Sequence, residues 1–480
     1  MPEFETVIGL EVHAELLTRS KMFCGCSTTF GAPPNTQTCP VCLGMPGVLP
    51  VINRRAVEHA IRTALALHCA IAPVSRFARK NYFYPDLPKA YQISQYELPL
   101  SEHGSITFAL EADEKRVGIR RVHLEEDTGK LVHAGVMEEA DSSLVDYNRC
   151  GVPLMEIVSD PDLRTPGEAA EYLRTLRAVL VYLGVCDGNM EEGSFRCDAN
   201  ISIRPTGATE LGVKVEDKNM NSFKNVQKAL EYEIRRQVRA VTEGEPLVQE
   251  TRLWNADQEI TLSMRSKEHA HDYRYFPDPD LVPLAVEPAW VEEIRRGLPE
   301  LPDATRERFV REYGIPAYDA GVLTASKELA AYYEACVKTP SDPKAASNWV
   351  MVELLGRLNK DGKGIAESPI APERLGAMLD LLAKGTISGK MAKAFFDEMY
   401  ATGADPAEVL KQKGGQITDA GEIEAIIRDV VGRNAGPAAE YRAGKETAFN
   451  FLIGQVMRAT KGKANPKLVN ELLKQILQAG

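Results

Sequence analysis

The sequence predicts an α+β protein: an N-terminal mixed α/β cradle domain with an antiparallel-rich sheet, an all-helical domain, and a small helical tail. Three observations carry this. Short β-like runs crowd the first ~280 residues, with amphipathic helices between them. Strands and helices interleave there without regular βαβ spacing, which argues against a doubly wound sheet. Beyond Trp290 the periodicity is helical throughout. The 480 residues suit two to four domains at a prior of ~150 residues each. We read the boundaries as 1–290, 291–408 and 409–480, with a metal-binding insert at 24–42.

The first element is "ETVIGLEVHAEL". Glu11, His13 and Glu15 alternate with Leu10, Val12 and Ala14, so a strand places two acids and an imidazole on one face. That pattern suits a half-buried strand with a wet outer face. That is the ordinary origin of such alternation; the floor of a cation site is the sharper reading, and it needs further ligands from elsewhere in the chain. "NRRAVEHAIRTALAL" follows as a helix, with Ala56, Ala60, Ile61, Ala64 and Leu65 on one stripe. "RVGIRRVHLEE" and "DANISIRP" are strands. "TPGEAAEYLRTLRAVLVYLG" is a helix capped by Thr165, with Pro166 at its first position, Glu168 three residues after the cap and Gly184 as its stop. "SFKNVQKALEYEIRRQVRAV" is a third helix. Four prolines in "FPDPDLVPLAVEPAW" mark the end of the cradle, and "QKGGQITDAGE" marks a second linker. The last helix starts at Asn465 and Pro466.

Bulk properties narrow the class. The chain is 44% hydrophobic and 26% charged, ordinary for a globular protein. No apolar run long enough to span a bilayer and no secretory leader are evident, so a cytoplasmic protein without membrane contact is expected. The net charge of -11 argues against a simple nucleic-acid coat. The C-terminal end reverses that sign. From Tyr441 onward seven cations (Arg442, Lys445, Arg458, Lys461, Lys463, Lys467, Lys474) face Glu446 and Glu471. The cluster "RATKGKANPK" points to phosphate contact through Arg458, Lys461, Lys463 and Lys467.

Cys24-x-Cys26, then Cys39-x-x-Cys42, gives two close thiol pairs. In a reducing compartment this spacing reads as a closed, structural Zn²⁺ site. Cys69, Cys150, Cys186, Cys197 and Cys336 are isolated and read as core. Glu126 in "RVHLEEDTGK" and Glu156 in "VPLMEIVSD" would join Glu11 and His13 in an oxygen-rich site suited to Mg²⁺ or Mn²⁺. Glu125 points away from Glu126 in an extended segment, so only Glu126 is taken. "RKNYFYPDLPKAYQISQ" and "HDYRYFPDPD" carry Lys80, Tyr82, Lys89, Asp272, Arg274 and Tyr275 in loops suited to a nucleotide, an RNA end or a partner. There is no phosphate-binding P-loop, dinucleotide fingerprint, H-E-x-x-H or G-x-S-x-G.

These segments, with "MEEGSFRCDANIS", "KNMNSFKNVQKALEYE" and "GQVMRATKGKANP", resemble from end to end the B subunit of bacterial aspartyl/glutamyl-tRNA(Asn/Gln) amidotransferases. One departure is Asp217, where the common form has an aliphatic residue. The resemblance implies an ATP- and Mg²⁺-dependent carbon–nitrogen ligase. Such an enzyme phosphorylates the side-chain carboxylate of Glu-tRNA(Gln) or Asp-tRNA(Asn). It then amidates it with ammonia made from glutamine by an amidase-like A subunit, in a heterotrimer with a small C subunit. The synthetase that mischarges the tRNA is a further expected partner. The resemblance also implies that Glu11, His13, Glu126 and Glu156 meet around the catalytic cation. Lys80 is expected near the ammonia route. Two rivals are a non-catalytic zinc-containing tRNA-binding scaffold and a free-standing metallohydrolase using Glu11, His13 and Glu126.

Overall fold

The computed structural model describes residues 4–110, 113–133, 143–264, 273–339, 342–417 and 419–479. Alternation in the first strand is realised: β1 (Phe4–Glu15) buries Leu10, Val12 and Ala14 while Glu11, His13 and Glu15 stay half-exposed. The strands that follow are β2 (Ala70–Ile71), β3 (Val74–Ser75), β4 (Ala78–Asn81), β5 (Tyr91–Ser94), β6 (Ser101–Leu110), β7 (Asp113–Glu126), β8 (Lys130–His133), β9 (Ser143–Asp146), β10 (Pro153–Ser159), β11 (Phe195–Pro205), β12 (Val215–Met220), β13 (Glu250–Asn255), β14 (Ile260–Ser263), β15 (Phe276–Pro277) and β16 (Leu284–Ala285). Nine of them form one sheet in the order β14-β13-β12-β11-β1-β10-β7-β6-β2. Every described pairing in it is antiparallel except β12 with β13. The α+β class predicted from the sequence holds.

Helices α1 (Arg54–Ala66), α2 (Pro166–Leu183) and α3 (Phe223–Glu243) pack on the apolar face of this sheet. Their apolar stripes meet Leu10, Val12, Val122, Leu124, Met155 and Ile157 in one core. The ends of α2 are those read from the sequence. Thr165 accepts a hydrogen bond from the Glu168 amide, and Gly184 takes the left-handed conformation, φ 65°, that a side chain would resist. Burying one face this way leaves the other face of β11, β1, β10 and β7 free to be polar.

The chain divides into two compact units, Met1–Leu301 and Pro302–Gly480. The first break falls later than the expected 290, because α4 (Pro288–Arg296) still packs Trp290 and Ile294 on the cradle core. The second unit is helical: α5 (Pro302–Tyr313), α6 (Ala317–Leu323), α7 (Lys327–Val337), α8 (Pro343–Asn348), a π-helical turn (Trp349–Leu354), α9 (Leu355–Lys360), α10 (Pro372–Ala383), α11 (Gly389–Thr402), α12 (Pro406–Lys413), α13 (Ala420–Arg433), α14 (Ala435–Arg442), α15 (Glu446–Ala459) and α16 (Pro466–Ala479). Among its described residues it holds two separate hydrophobic clusters, one from Phe309 to Val409 and one from Ile423 to Leu477. Among the described residues no helix is long and apolar enough to cross a membrane.

Candidate functional site

Strand register builds the polar face. His13 on β1 lies opposite Glu156 on β10, and Glu156 lies opposite His123 on β7. Side chains directly opposite in antiparallel strands share a face, so His13, Glu156 and His123 form a row across three strands. Glu125 stands two residues along β7 from His123, on the same side. His13 Nε2 is 3.4 Å from Glu156 and 3.7 Å from Glu125. His123 Nε2 is 3.5 Å from Glu156 and 3.8 Å from Glu125. The ligand atoms of His13, Glu125 and Glu156 all lie within 4.8 Å of one another, a separation that one ion can bridge.

The imidazoles favour the charged form of both carboxylates and the carboxylates favour that of His13, while the Glu156 charge opposes that of Glu125. Burial alone would lower the His13 pKa, but the hydrogen bond and charge of Glu156 and the charge of Glu125 raise it. Burial would lift both carboxyls. His123 and His13 overcome it, with Lys80 adding to the effect on Glu156, and both acids sit below their usual range. Two nearly dry carboxylates, with the His13 imidazole once a cation displaces its proton, form a hard-cation donor set. His123 Nδ1 is buried and has no hydrogen-bond partner among the described residues.

The structure sorts the sequence candidates. Glu11 lies on the same face one step away, where its carboxylate accepts from Asn200 at 2.8 Å, outside the three-ligand group. Lys80 rises from β4. Its ammonium lies 4.8 Å from the Tyr273 ring centre, and the charges of Glu125 and Glu156 raise its pKa against burial. Glu126 departs from expectation: it belongs to the opposite face, paired with Lys89, and accepts from the Ile93 amide at 2.9 Å. Glu125 takes the place expected of Glu126. The signal was in the sequence. Val122 and Leu124 share the parity of Glu126, so the apolar alternation assigns Glu126 to the core side and His123 and Glu125 to the polar side. Glu15 stands at the end of the row beside Asp127. Burial, with that neighbour, pushes Glu15 up to about 8. Of the aromatic loop, Arg274 and Tyr275 are described, while Asp272 lies outside the described residues.

Cys24, Cys26, Cys39 and Cys42 bring their sulfurs together. The Cys39 amide donates to Cys42 Sγ at 3.2 Å, as in a tight metal knuckle. Gly44 completes that turn at φ 64°, and a Cβ there would overlap the Lys89 side chain. Behind the knuckle lies a cavity of about 190 Å³, lined by Cys24, Cys42, Lys89 and Glu126. The other five cysteines are buried, as read.

In the second unit Arg458 and Lys461 line an open cleft of about 570 Å³ with Lys390, which the sequence reading did not single out. Lys390 sits at the N-terminus of α11, where the helix dipole also favours an anion. Lys463 donates to the Lys413 carbonyl at 2.5 Å and so fastens the last helices to α12, and Lys467 is exposed in the first turn of α16.

A family model described as the GatB/GatE catalytic domain matches residues 6–292, and one described as the GatB domain matches 331–477. The B subunit of the aspartyl/glutamyl-tRNA(Asn/Gln) amidotransferase of Geotalea daltonii is 59% identical over 477 residues, 99% of this chain and 100% of that protein. The corresponding B subunit from Carboxydothermus hydrogenoformans is 57% identical over 478 residues, 99% of each chain. That from Geobacter sulfurreducens is 58% identical over 476 residues, again 99% of each chain. The chain belongs to the family of aspartyl/glutamyl-tRNA(Asn/Gln) amidotransferase B subunits.

Proposed function

We propose that this chain uses ATP to phosphorylate the side-chain carboxylate of Glu-tRNA(Gln), Asp-tRNA(Asn) or both, and then amidates it with ammonia from a glutaminase partner. The observation that carries the reading is the group His13, Glu125 and Glu156 on the polar sheet face, with Lys80 beside it. A free carboxylate is a poor acyl donor because its leaving group would be oxide. Phosphorylation replaces that with phosphate, and phosphoryl transfer asks mainly for positioned charge. The three ligand groups fit Mg²⁺, and the imidazole makes Mn²⁺ a competent substitute. A bound cation of this kind neutralises charge that develops on phosphate oxygens. His123, wedged against Glu125 and Glu156, keeps both carboxylates ionised and oriented. Lys80 offers a second positive charge over the site.

The four cysteines fit Zn²⁺: Cys24, Cys26, Cys39 and Cys42 would hold it with no open position, so a bound ion would organise the 24–42 insert and take no part in the chemistry. Arg458, Lys461 and Lys390, joined by Lys467, suit the phosphate backbone of tRNA. Within a larger assembly the chain would work with the glutaminase A subunit and the small C subunit. The test is direct. The assembled complex is incubated with ATP, glutamine and each mischarged tRNA, and the amino acid left on the tRNA is identified. Conversion to glutamine or asparagine with matching ATP turnover is expected. Tight tRNA binding without ATP turnover would favour the scaffold reading instead.

A further inference from the structure

We propose that Lys21 supplies the counter-charge of the four-cysteine centre and sets how tightly that centre holds its metal. Lys21 is 1% exposed and is one of the largest fully buried side chains. Lysine is almost never buried so completely without a partner, and a buried unpaired charge is costly. Among the described residues no carboxylate pairs with it. Its Nζ meets Cys42 Sγ at 3.6 Å and the Tyr147 carbonyl at 3.3 Å. Its backbone amide donates to the Cys26 carbonyl at 3.0 Å, and its carbonyl accepts from the Asn53 side chain at 3.2 Å.

One residue therefore touches both halves of the cysteine quartet and the loop that leads into β10. Four thiolates outweigh the charge of a divalent cation, so the closed centre is anionic, and Cys42, the sulfur that Lys21 meets, is its buried corner while Cys24, Cys26 and Cys39 are half-buried. An ammonium against one sulfur offsets that excess, and its second bond fixes the sulfur relative to the sheet. Neighbours that act on a metal through its ligands typically change affinity by about 10–100-fold.

This inference rests on the zinc reading above, and the experiment separates the two. Full-length protein is stripped of metal under reducing conditions and titrated with Zn²⁺ against a chromophoric chelator. A parent protein that binds no zinc would refute the zinc reading itself. With one zinc bound by the parent, Lys21→Met should bind about 10–100-fold more weakly, and Lys21→Arg should stay near the parent. Equal affinity in Lys21→Met would overturn the proposal. If Lys21→Met does not fold, Lys21→Gln, which keeps a donor for Tyr147, is measured in its place with the same expectation. Neutral variants that stay unfolded while Lys21→Arg folds with zinc show the expected dependence on charge. Loss of folding in all three variants would assign Lys21 to packing alone and overturn it.

Discussion

Asp217 on β12 is fully buried, and neither carboxyl oxygen has a hydrogen-bond partner among the described residues. Around it lie Glu233 and Arg236 from α3 and Glu250 and Arg252 from β13. Glu233 is already satisfied by Arg236 at 2.6 Å, Gln237 at 2.9 Å and Thr261 at 3.1 Å. Burial, and then the Glu233 charge, push Asp217 from 3.8 up to about 8 against Arg252 and Arg236. Between those values the native protein keeps a proton that the unfolded chain has released. Stability therefore falls as pH rises through this window, by about 1.4 kcal/mol per pH unit, and the loss levels off above the folded pKa. At neutral pH the accumulated cost is on the order of 4 kcal/mol. Asp217→Asn removes the titration. Hydrogen exchange of the amides in Val215–Met220 and Glu250–Asn255, compared between parent and variant at the same pH, reads the difference directly. The ratio of protection should favour the variant by about tenfold more for each pH unit between about 5 and 7. A ratio that stays constant across that range would refute the reasoning.

Three further outcomes follow from the site, and one from the helical unit. Glu125→Gln should cut tRNA-dependent ATP hydrolysis by at least about 100-fold, the scale of losing a group that stabilises transition-state charge. Glu126→Gln should keep the cation site and instead lower stability by about 3–5 kcal/mol, because it strands buried Lys89; chemical denaturation and Mn²⁺ titration distinguish the two variants. Cys39→Ser combined with Cys42→Ser should reduce zinc from about one per chain to none, as metal analysis of the purified protein would show. Lys390→Glu and Lys461→Glu should each weaken tRNA binding and flatten its dependence on salt, by roughly 0.7 in the log–log slope per lost phosphate contact; binding isotherms over a salt series test this, and an unchanged slope would remove the cleft from the tRNA surface.

Local chemistry was legible in the sequence because it depends on neighbours along the chain. The period-2 alternation of β1 placed Glu11, His13 and Glu15 on one face, and the caps Thr165 and Gly184 fixed both ends of α2. The paired cysteines declared themselves by spacing, and their sulfurs do come together. Alternation in β7 also held the answer to Glu125 against Glu126, although only the register of β7 with β10 makes it decisive. The tertiary structure decided what depends on residues far apart. It set His13, Glu156 and His123 in one row through strand order and not through sequence distance. It brought Lys390 to Arg458 and Lys461 across separate helices. It also buried Lys21 and Asp217, two charged residues whose own stretches of sequence do not announce burial. Burial is a property of everything packed around a side chain, and no window of neighbouring residues contains it.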